Sequence, residues 1–235
     1  RSPSRGLGDV YKRQLSGHRI RTGFISVRLV GGNVLRIGLV MLQGARHSHI
    51  SALEDASEQS GLEIEIVRLR KSSDLEKGEI HGLVLPGGES TTMRHTGNDP
   101  KSSLLPAVFS WIRDYQERPV LGTCAGAILL ATPGDGGAPL IDATLDRNAF
   151  GSQAKSFQSE LEAVLFDRVF PGVFIRSPRY VLVGPSSEIV ARLGDEVVGV
   201  RTHNRLALTF HPELSSDRGF HVWFLQRAES ICMVA

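Results

Sequence analysis

Three apolar runs, each ended by a turn that contains glycine, constrain the fold of this chain most strongly. The runs are Leu35–Leu42 before Gly44, Ile80–Leu85 before Pro86-Gly87-Gly88, and Pro119–Gly122 before Cys124. Near-continuous apolar runs of this length are typical of strands buried on both faces, as in parallel sheets covered by helices. Because helical patterns fall between the runs, the sequence predicts an α/β fold with a mostly parallel central sheet.

The segments between and beyond these runs complete the predicted architecture. In the first half, the predicted helices are His47–Ser60, Leu104–Gln116 and Ala125–Ala131, with a strand at Leu62–Leu69 and a polar connection at Asp74–Lys77. In the second half, the short β-type runs are Ala163–Phe166, Val173–Ile175, Tyr180–Val183, Ile189–Arg192, Val197–Arg201 and Leu206–Phe210, before a closing helix at Phe220–Ala228. The predicted fold is three-layered, with helices on both faces of the sheet and a smaller antiparallel β portion in the second half.

Charge and composition exclude several classes of function. Residues 1–35 carry seven basic side chains against one aspartate, whereas the remaining 200 residues carry 24 acidic against 20 basic side chains. A mildly acidic globular part does not imply nucleic-acid binding. No run of about 18 uncharged apolar residues is present, so we expect no membrane span. The two cysteines, Cys124 and Cys232, lie too far apart to suggest a disulfide framework, and we expect a cytoplasmic location.

The segment Gly122-Thr123-Cys124-Ala125-Gly126 has the form G-x-C-x-G, the thiol counterpart of a nucleophile elbow between a strand and a helix. Glycine is needed two places on either side of the cysteine because side chains there would collide in so tight a turn. The helix that follows Cys124 directs N–H groups and its dipole at the sulfur and favours the reactive thiolate. On this motif alone, a nucleophile and a buried structural cysteine are equally open.

The segment His211-Pro212-Glu213 follows the predicted strand Leu206–Phe210. In an extended chain the side chains at i and i+2 point the same way, so His211 and Glu213 can act as a base and its orienting carboxylate. Pro212 disfavours a helix here. A surface histidine is the alternative for this segment alone. Because both motifs lie at carboxyl ends of predicted strands, where α/β sites form, a catalytic triad with Cys124 is favoured.

The glycine-rich segment after the third predicted strand, Pro86-Gly87-Gly88-Glu89-Ser90, is the third candidate element of the site. A phosphate-binding P-loop is excluded because no lysine follows. The better interpretation is an oxyanion hole formed by the backbone N–H groups of Gly88 and Ala125. A helix cap at Ser90 is compatible with that role. His47 and His49 do not predict a metal site, because side chains two apart on a helix diverge.

Together these motifs resemble those of class I (triad) glutamine amidotransferases, and the resemblance implies their flavodoxin-like three-layer fold. More narrowly, residues 35–228 are similar to the glutaminase subunits of pyridoxal 5′-phosphate synthases, the Pdx2/PdxT type. The segments that carry this similarity are IGLVMLQG, LVLPGGESTTMR, GTCAGAILLA, DRNAFGSQAKSFQ, GVFIRSP and TFHPEL. The family usually has arginine where this chain has Ser152, which affects local loop or partner contacts more than the chemistry.

The resemblance implies a role for each matching residue. Cys124 would attack the side-chain amide of L-glutamine, His211 would move the proton, and Glu213 would orient His211. The residues that would line the glutamine site are Gly88, Glu89, Ser90, Arg147, Ile175 and Arg176. An arginine suits the α-carboxylate of the substrate, because its fork of donors matches that anion.

The resemblance also implies partners and domain limits. Ammonia would pass to a separate Pdx1-type synthase subunit in a hetero-oligomer, and this half would need no metal or organic cofactor. Residues 35–230 would form the glutaminase domain, and residues 1–34, which have no family counterpart, are expected to be a disordered or artefactual basic extension. The alternatives are another class I amidotransferase subunit, of the histidine-biosynthesis type, or a catalytically silent binding partner.

Overall fold

The three apolar runs form neighbouring parallel strands in the computed structural model, namely β1 (Leu35–Val40), β3 (Gly82–Leu85) and β4 (Val120–Thr123). The structure describes residues 34–147, apart from residues 43, 45 and 78, and residues 156–233. These described residues belong to one unit that spans Asn33–Ala235. The predicted division of the chain at residue 34 stays a prediction, because residues 1–33 lie outside the described part.

The remaining elements alternate between helices and strands in the first half and are mainly strands in the second. The helices are α1 (Arg46–Ser60), α2 (Ser73–Glu76), α3 (Ser90–Gly97), α4 (Leu104–Asp114), α5 (Ala125–Ala131) and α6 (Gly219–Cys232). The other strands are β2 (Ile64–Leu69), β5 (Ala143–Asp146), β6 (Phe157–Ala163), β7 (Arg168–Phe174), β8 (Arg179–Val183), β9 (Glu188–Leu193), β10 (Glu196–Thr202) and β11 (Arg205–Leu208).

The described part contains one large sheet with the strand order β2-β1-β3-β4-β11-β10-β9-β6-β7. The five strands from β2 to β11 are parallel, and the other four continue the sheet in antiparallel pairs. Strands β5 and β8 form a separate antiparallel pair. The predicted fold class is confirmed, and the antiparallel portion lies mainly within the central sheet. Its strand β10 returns through a turn at His203-Asn204 into β11, which places β11 beside β4.

Helices cover both faces of the sheet, which makes the three layers. Side chains from α4 and α5 pack on one face, in a core that includes Phe109, Ile112 and Leu129. Side chains from α1 and α6 pack on the other face, where Leu53 and Phe224 are fully buried. Burial of apolar surface on both faces explains why the strands read as continuous apolar runs rather than alternating ones.

Several segments differ from the predicted elements, among them β6 and most of β7, which were not predicted. The run Ala163–Phe166 was predicted as a strand, but β6 ends at Ala163 and Val164–Phe166 is a 3₁₀ turn that joins β6 to β7. Its three apolar residues satisfy a strand pattern equally well, yet Asp167 adopts a left-handed conformation with φ 52° and reverses the chain. Helix α3 and strand β5 were not predicted because both are short and largely polar, and the polar connection Asp74–Lys77 contains most of the short helix α2.

Candidate active site

Cys124 lies in the sharp turn between β4 and α5, with φ 48° and ψ −105°. The two flanking glycines are required by close contacts. A Cβ atom on Gly122 would lie 3.0 Å from the backbone of Gly126, and one on Gly126 would lie 2.0 Å from the carbonyl oxygen of Leu85. The turn therefore has the geometry expected for a nucleophile elbow, and it holds a non-glycine residue in a strained backbone conformation.

The Cys124 side chain is buried, with 6% of its surface exposed. Its backbone N–H donates to the carbonyl oxygen of Leu208 at 2.8 Å, which fixes the turn against β11. Its Sγ lies 3.9 Å from the carbonyl oxygen of Ile175. Arg176, which follows Ile175, has φ 46°, a left-handed conformation that is uncommon for arginine. Two strained residues thus lie close together at one end of the sheet.

His211 and Glu213 are joined directly, with His211 Nδ1 2.6 Å from Glu213 Oε1. Both side chains are buried. The expected extended conformation is wrong here, because Pro212–Leu214 is a 3₁₀ turn with the proline at its first position, where no N–H is required. The backbone N–H of His211 donates to Val173 O at 2.8 Å, so strand β7 holds this turn in place.

The residue before this turn anchors it in the core. Phe210 is fully buried and packs against the rings of Phe170, Phe174 and Phe220, with ring-centroid distances of 5.9, 5.7 and 5.6 Å. Tilted and edge-to-face packing of this kind orders aromatic side chains. The position of His211 is therefore set by a rigid apolar cluster immediately before it.

Gly87 brings the cysteine and the histidine into one site. A Cβ atom on Gly87 would lie 2.5 Å from His211 Cε1 and 3.3 Å from Cys124 Cβ, so both side chains pack against this glycine. Burial disfavours the charged form of His211, but hydrogen bonds to Cys124 and Glu213 outweigh it and raise the pKa of His211 to about 10. The imidazolium form is thus stabilised between a sulfur and a carboxylate, as a thiolate–imidazolium pair requires.

Three polar residues behind this constellation were missed as site residues by sequence reasoning. His49 and His221 are fully buried, with His49 Nδ1 3.2 Å from His221 Nε2. His49 Nε2 lies 3.1 Å from Thr123 Oγ1 and 3.4 Å from Glu213 Oε2. The available signal was that His49 shares a helical face with the buried residues of α1 that follow it, whereas His47 is exposed.

A family model described as the SNO glutamine amidotransferase family matches residues 39–230. The chain belongs to this glutamine amidotransferase family. A crystal structure described as that of a glutamine amidotransferase is 36% identical, with a TM-score of 0.67, and the match covers 82% of this chain and 98% of that one. The resemblance drawn from the motifs is confirmed at the level of the family.

Two curated relatives make the similarity more specific. The pyridoxal 5′-phosphate synthase subunit PdxT of Methanosarcina acetivorans is 37% identical over 210 residues, which cover 83% of this chain and 100% of the relative. The protein of the same name from Thermococcus gammatolerans is 40% identical over 204 residues, with the same coverage of 83% and 100%. This amidotransferase chain therefore matches both relatives over their whole length.

The glycine-rich loop of this amidotransferase lies beside Cys124 and His211. Gly88 follows Gly87, and Ala125 follows Cys124 as the first residue of α5. Ser90 is buried at the start of α3. Glu89 is the N-cap of that helix, where its carboxylate accepts hydrogen bonds from backbone N–H groups. Hydrogen bonds from the Thr92 hydroxyl and from the N–H of Thr91 lower the pKa of Glu89 to about 2. Its carboxylate therefore stays charged and turned towards the helix.

The other residues expected to bind glutamine lie on two loops. Arg147 is exposed after β5 and donates from Nη2 to Thr91 Oγ1 at 2.9 Å, which ties it to the helix that begins beside the glycine-rich loop. The carbonyl oxygen of Ile175 lies near Cys124 Sγ, and the side chain of the following residue, Arg176, is exposed. Ser152 and the rest of residues 148–155 lie outside the described part.

Two observations on the described part bear on other classes of function. It contains no group of three or more histidine, cysteine, aspartate or glutamate side chains arranged to hold a metal ion. None of its helices combines the length and the hydropathy that a membrane span needs.

Proposed function

We propose that this chain is the glutaminase subunit of a pyridoxal 5′-phosphate synthase and hydrolyses L-glutamine to L-glutamate and ammonia. The observation that carries this proposal is the buried arrangement of Cys124, His211 and Glu213 in a chain of the glutamine amidotransferase family. Relatives that are matched over their whole length and named PdxT support the choice of synthase. The ammonia then serves vitamin B6 biosynthesis.

The geometry suits a thioester mechanism. His211 takes the thiol proton of Cys124, and the sulfur attacks the amide carbon of glutamine while the carbonyl electron pair moves onto oxygen. The backbone N–H groups of Gly88 and Ala125 stabilise the resulting oxyanion. When the intermediate collapses, the C–N bond breaks, and His211 returns the proton to the departing ammonia. Water, deprotonated by His211, attacks the thioester, so the S–C bond breaks and glutamate leaves.

The buried position of Glu213 explains its role in this scheme. Burial disfavours its charged form, but the neighbouring imidazoles His49 and His211 lower its pKa on balance. The carboxylate is therefore ionised and accepts the Nδ1–H of His211, which leaves Nε2 of the ring to hold the proton taken from the Cys124 thiol. Glutamine is held by Gly88, Glu89, Ser90, Arg147, Ile175 and Arg176 in this proposal.

The proposal extends to the assembly. The chain works with a Pdx1-type synthase subunit in a cytoplasmic hetero-oligomer, and it needs no cofactor of its own. The glutaminase domain comprises residues 35–230, and the match of the family model to residues 39–230 supports these limits. Residues 1–34, which carry an excess of basic side chains, lie outside the match of the family model.

The deciding experiment measures glutamate and ammonia release from glutamine, with and without a Pdx1-type synthase. Cys124→Ala is expected to lower the rate by about 1000-fold or more, because the nucleophile is lost. Cys232→Ala is the matched control, since Cys232 lies near the end of α6, and its rate should equal that of the parent chain.

Three results are informative. Activity that increases with the synthase and disappears in Cys124→Ala supports both the triad and the subunit assignment. Activity that is indifferent to the synthase contradicts the subunit assignment and favours another class I amidotransferase, such as the histidine-biosynthesis type. No release in any mixture, when the folded chain binds the synthase, refutes the enzymatic proposal and leaves a binding partner.

A further inference from the structure

Behind the triad, a pair of histidines is buried in a place where the mechanism above gives them no role. His49 from α1 and His221 from α6 have no exposed surface. Their rings approach with a centroid distance of 5.4 Å. Buried ring nitrogens need hydrogen-bond partners, because burying a polar atom without one costs free energy. Here His221 contacts His49, and Nε2 of His49 in turn faces the carboxylate of Glu213.

The partners of His49 determine its tautomer. Its Nε2 faces the carboxylate oxygen Oε2 of Glu213 at 3.4 Å and Thr123 Oγ1 at 3.1 Å. A lone pair at Nε2 would repel the carboxylate, so Nε2 carries the hydrogen. Nδ1 of His49 is then an acceptor, and it receives the Nε2–H of His221 at 3.2 Å.

This assignment leaves His221 Nδ1 as a bare acceptor, which fits its buried position without a hydrogen-bond partner. Burial lowers the pKa of His221 to about 3 and also lowers the pKa of His49, so both rings are neutral near pH 7. Neutral rings suffice, because a hydrogen bond from a neutral donor can still orient a buried carboxylate. The pair therefore forms a directed chain of donors from α6 through α1 to Glu213.

Glu213 Oε2 is the atom that needs this donor. Its other oxygen, Oε1, accepts from His211, whereas Oε2 is buried and has no aligned hydrogen-bond partner. The nearby donor is the Nε2–H of His49, 3.4 Å away, and Thr123 Oγ1 competes for the same hydrogen at 3.1 Å. An unsatisfied buried carboxylate oxygen is costly, and a small reorientation of the His49 ring would turn this contact into a hydrogen bond.

We propose that His49, held in place by His221, is a positioning residue that fixes the carboxylate of Glu213 and, through it, the imidazole of His211. The proposal rests on the glutaminase function proposed above. It assigns to helix α1 a direct role in the site. His49 also contacts the hydroxyl of Thr123, the residue before the nucleophile, so one ring contacts both the nucleophile turn and the acid of the triad.

Few titratable groups lie around His49, so the proposal can be tested by measuring pH dependence. The titratable groups that influence it are Glu213 and His211 on the 3₁₀ turn and His221 on α6, with Arg218 acting on His221. Arg218 donates to Asp55 Oδ2 at 2.9 Å, so it also joins the start of α6 to α1. A substitution of His49 is therefore expected to affect activity mainly through Glu213 and His211.

Two variants distinguish hydrogen-bond donation by His49 from a role in packing alone. The amide nitrogen of His49→Gln can occupy the position of Nε2 and donate to Glu213, whereas the shorter side chain of His49→Asn places its amide nitrogen near the position of Nδ1. Both variants are polar and uncharged. His47→Asn, two residues earlier on the exposed side of α1, is the control.

The first measurement is glutaminase activity with the synthase. We expect kcat of His49→Asn to fall by about 10-fold to 100-fold with KM within about threefold, because a misplaced base slows the chemical step and leaves binding intact. His49→Gln should recover most of this loss, and His47→Asn should match the parent. A packing role alone would instead lower thermal stability in both His49 variants and leave kcat unchanged.

The second measurement is the pH dependence of Cys124 alkylation by iodoacetamide, made in a Cys232→Ala background without synthase. The rate follows the thiolate, which is paired with the His211 imidazolium. We expect His49→Asn to move the midpoint upward by about one pH unit and His49→Gln to leave it in place. If His49→Asn does not fold, the profile of His49→Gln alone decides, since a shifted profile there contradicts the donor role.

Together these outcomes distinguish the two proposals. An unchanged kcat and an unchanged alkylation profile in both variants overturn the positioning role of His49, even if the chain is an active glutaminase. If the parent chain releases no ammonia with any synthase, the proposed function fails, whereas the alkylation profiles still test the role of His49.

Discussion

Replacing Gly87 by alanine tests whether the site depends on the packing of one glycine. The added Cβ would lie 2.5 Å from His211 Cε1 and 3.1 Å from its Nδ1, and ordinary van der Waals contact begins at 3.4 Å. The ring would have to retreat by about 1 Å, and misplacement by that distance costs about 100-fold in rate. Because the backbone of Gly87 lies outside the left-handed region, alanine adds no strain there. The loss should therefore appear in activity.

The assay compares kcat/KM for glutamine, in the presence of the synthase, with the midpoint of thermal unfolding. We expect Gly87→Ala to lose about 100-fold in kcat/KM, while overpacking costs about 1–3 kcal/mol of stability. Gly61→Ala is the matched control, because a Cβ there meets nothing within 4 Å but Gly61 has φ +72°. It should lose about 1–2 kcal/mol of stability and no activity. A Gly87→Ala enzyme that keeps more than half of the parental kcat/KM would refute the reasoning.

Three further predictions concern stability. Gly126→Ala should destabilise the fold by about 3 kcal/mol or prevent folding, since the new Cβ would lie 2.0 Å from the backbone oxygen of Leu85, which urea unfolding would measure. Because the pKa of His221 is lowered in the folded state, His221 is protonated in the unfolded chain at a higher pH than in the folded one. The free energy of unfolding should therefore fall by about 2 kcal/mol between pH 6.5 and 5. His221→Leu should reduce this pH dependence, as measured by urea unfolding at each pH. Arg205→Met should cost about 2–4 kcal/mol in the same assay, because the buried guanidinium donates to two backbone carbonyls; a loss below 1 kcal/mol would contradict that role.

Much of the parallel sheet could be predicted from local patterns. Strands β1, β3 and β4 lie where continuous apolar runs precede glycine turns, and α5 has the predicted bounds Ala125–Ala131. The polar helix α3 could not be predicted in the same way, because its stability comes from the Glu89 cap and from burial of Met93 and not from an apolar stripe.

Some features of the site could be predicted from the sequence, and others could not. The G-x-C-x-G spacing could be recognised directly because its five residues are consecutive, although the contact that excludes a side chain at Gly126 is made by Leu85 on β3. The pairing of His211 with Glu213 was also local, although the chain achieves it through a 3₁₀ turn and not the extended segment expected. Their meeting with Cys124 depends on β11 lying beside β4, a pairing of distant strands.

The sequence by itself therefore determined most elements of the parallel sheet, the family and the residues able to serve as nucleophile and base. Only the tertiary structure decided that His49 and His221 lie behind Glu213, and that Cys124 and His211 both pack against Gly87. The physical reason is that periodicity reports which face of an element is buried, whereas the partner of a buried polar atom depends on how distant elements pack. A histidine on the apolar face of α1 has the same pattern whether its ring meets a carboxylate or a leucine.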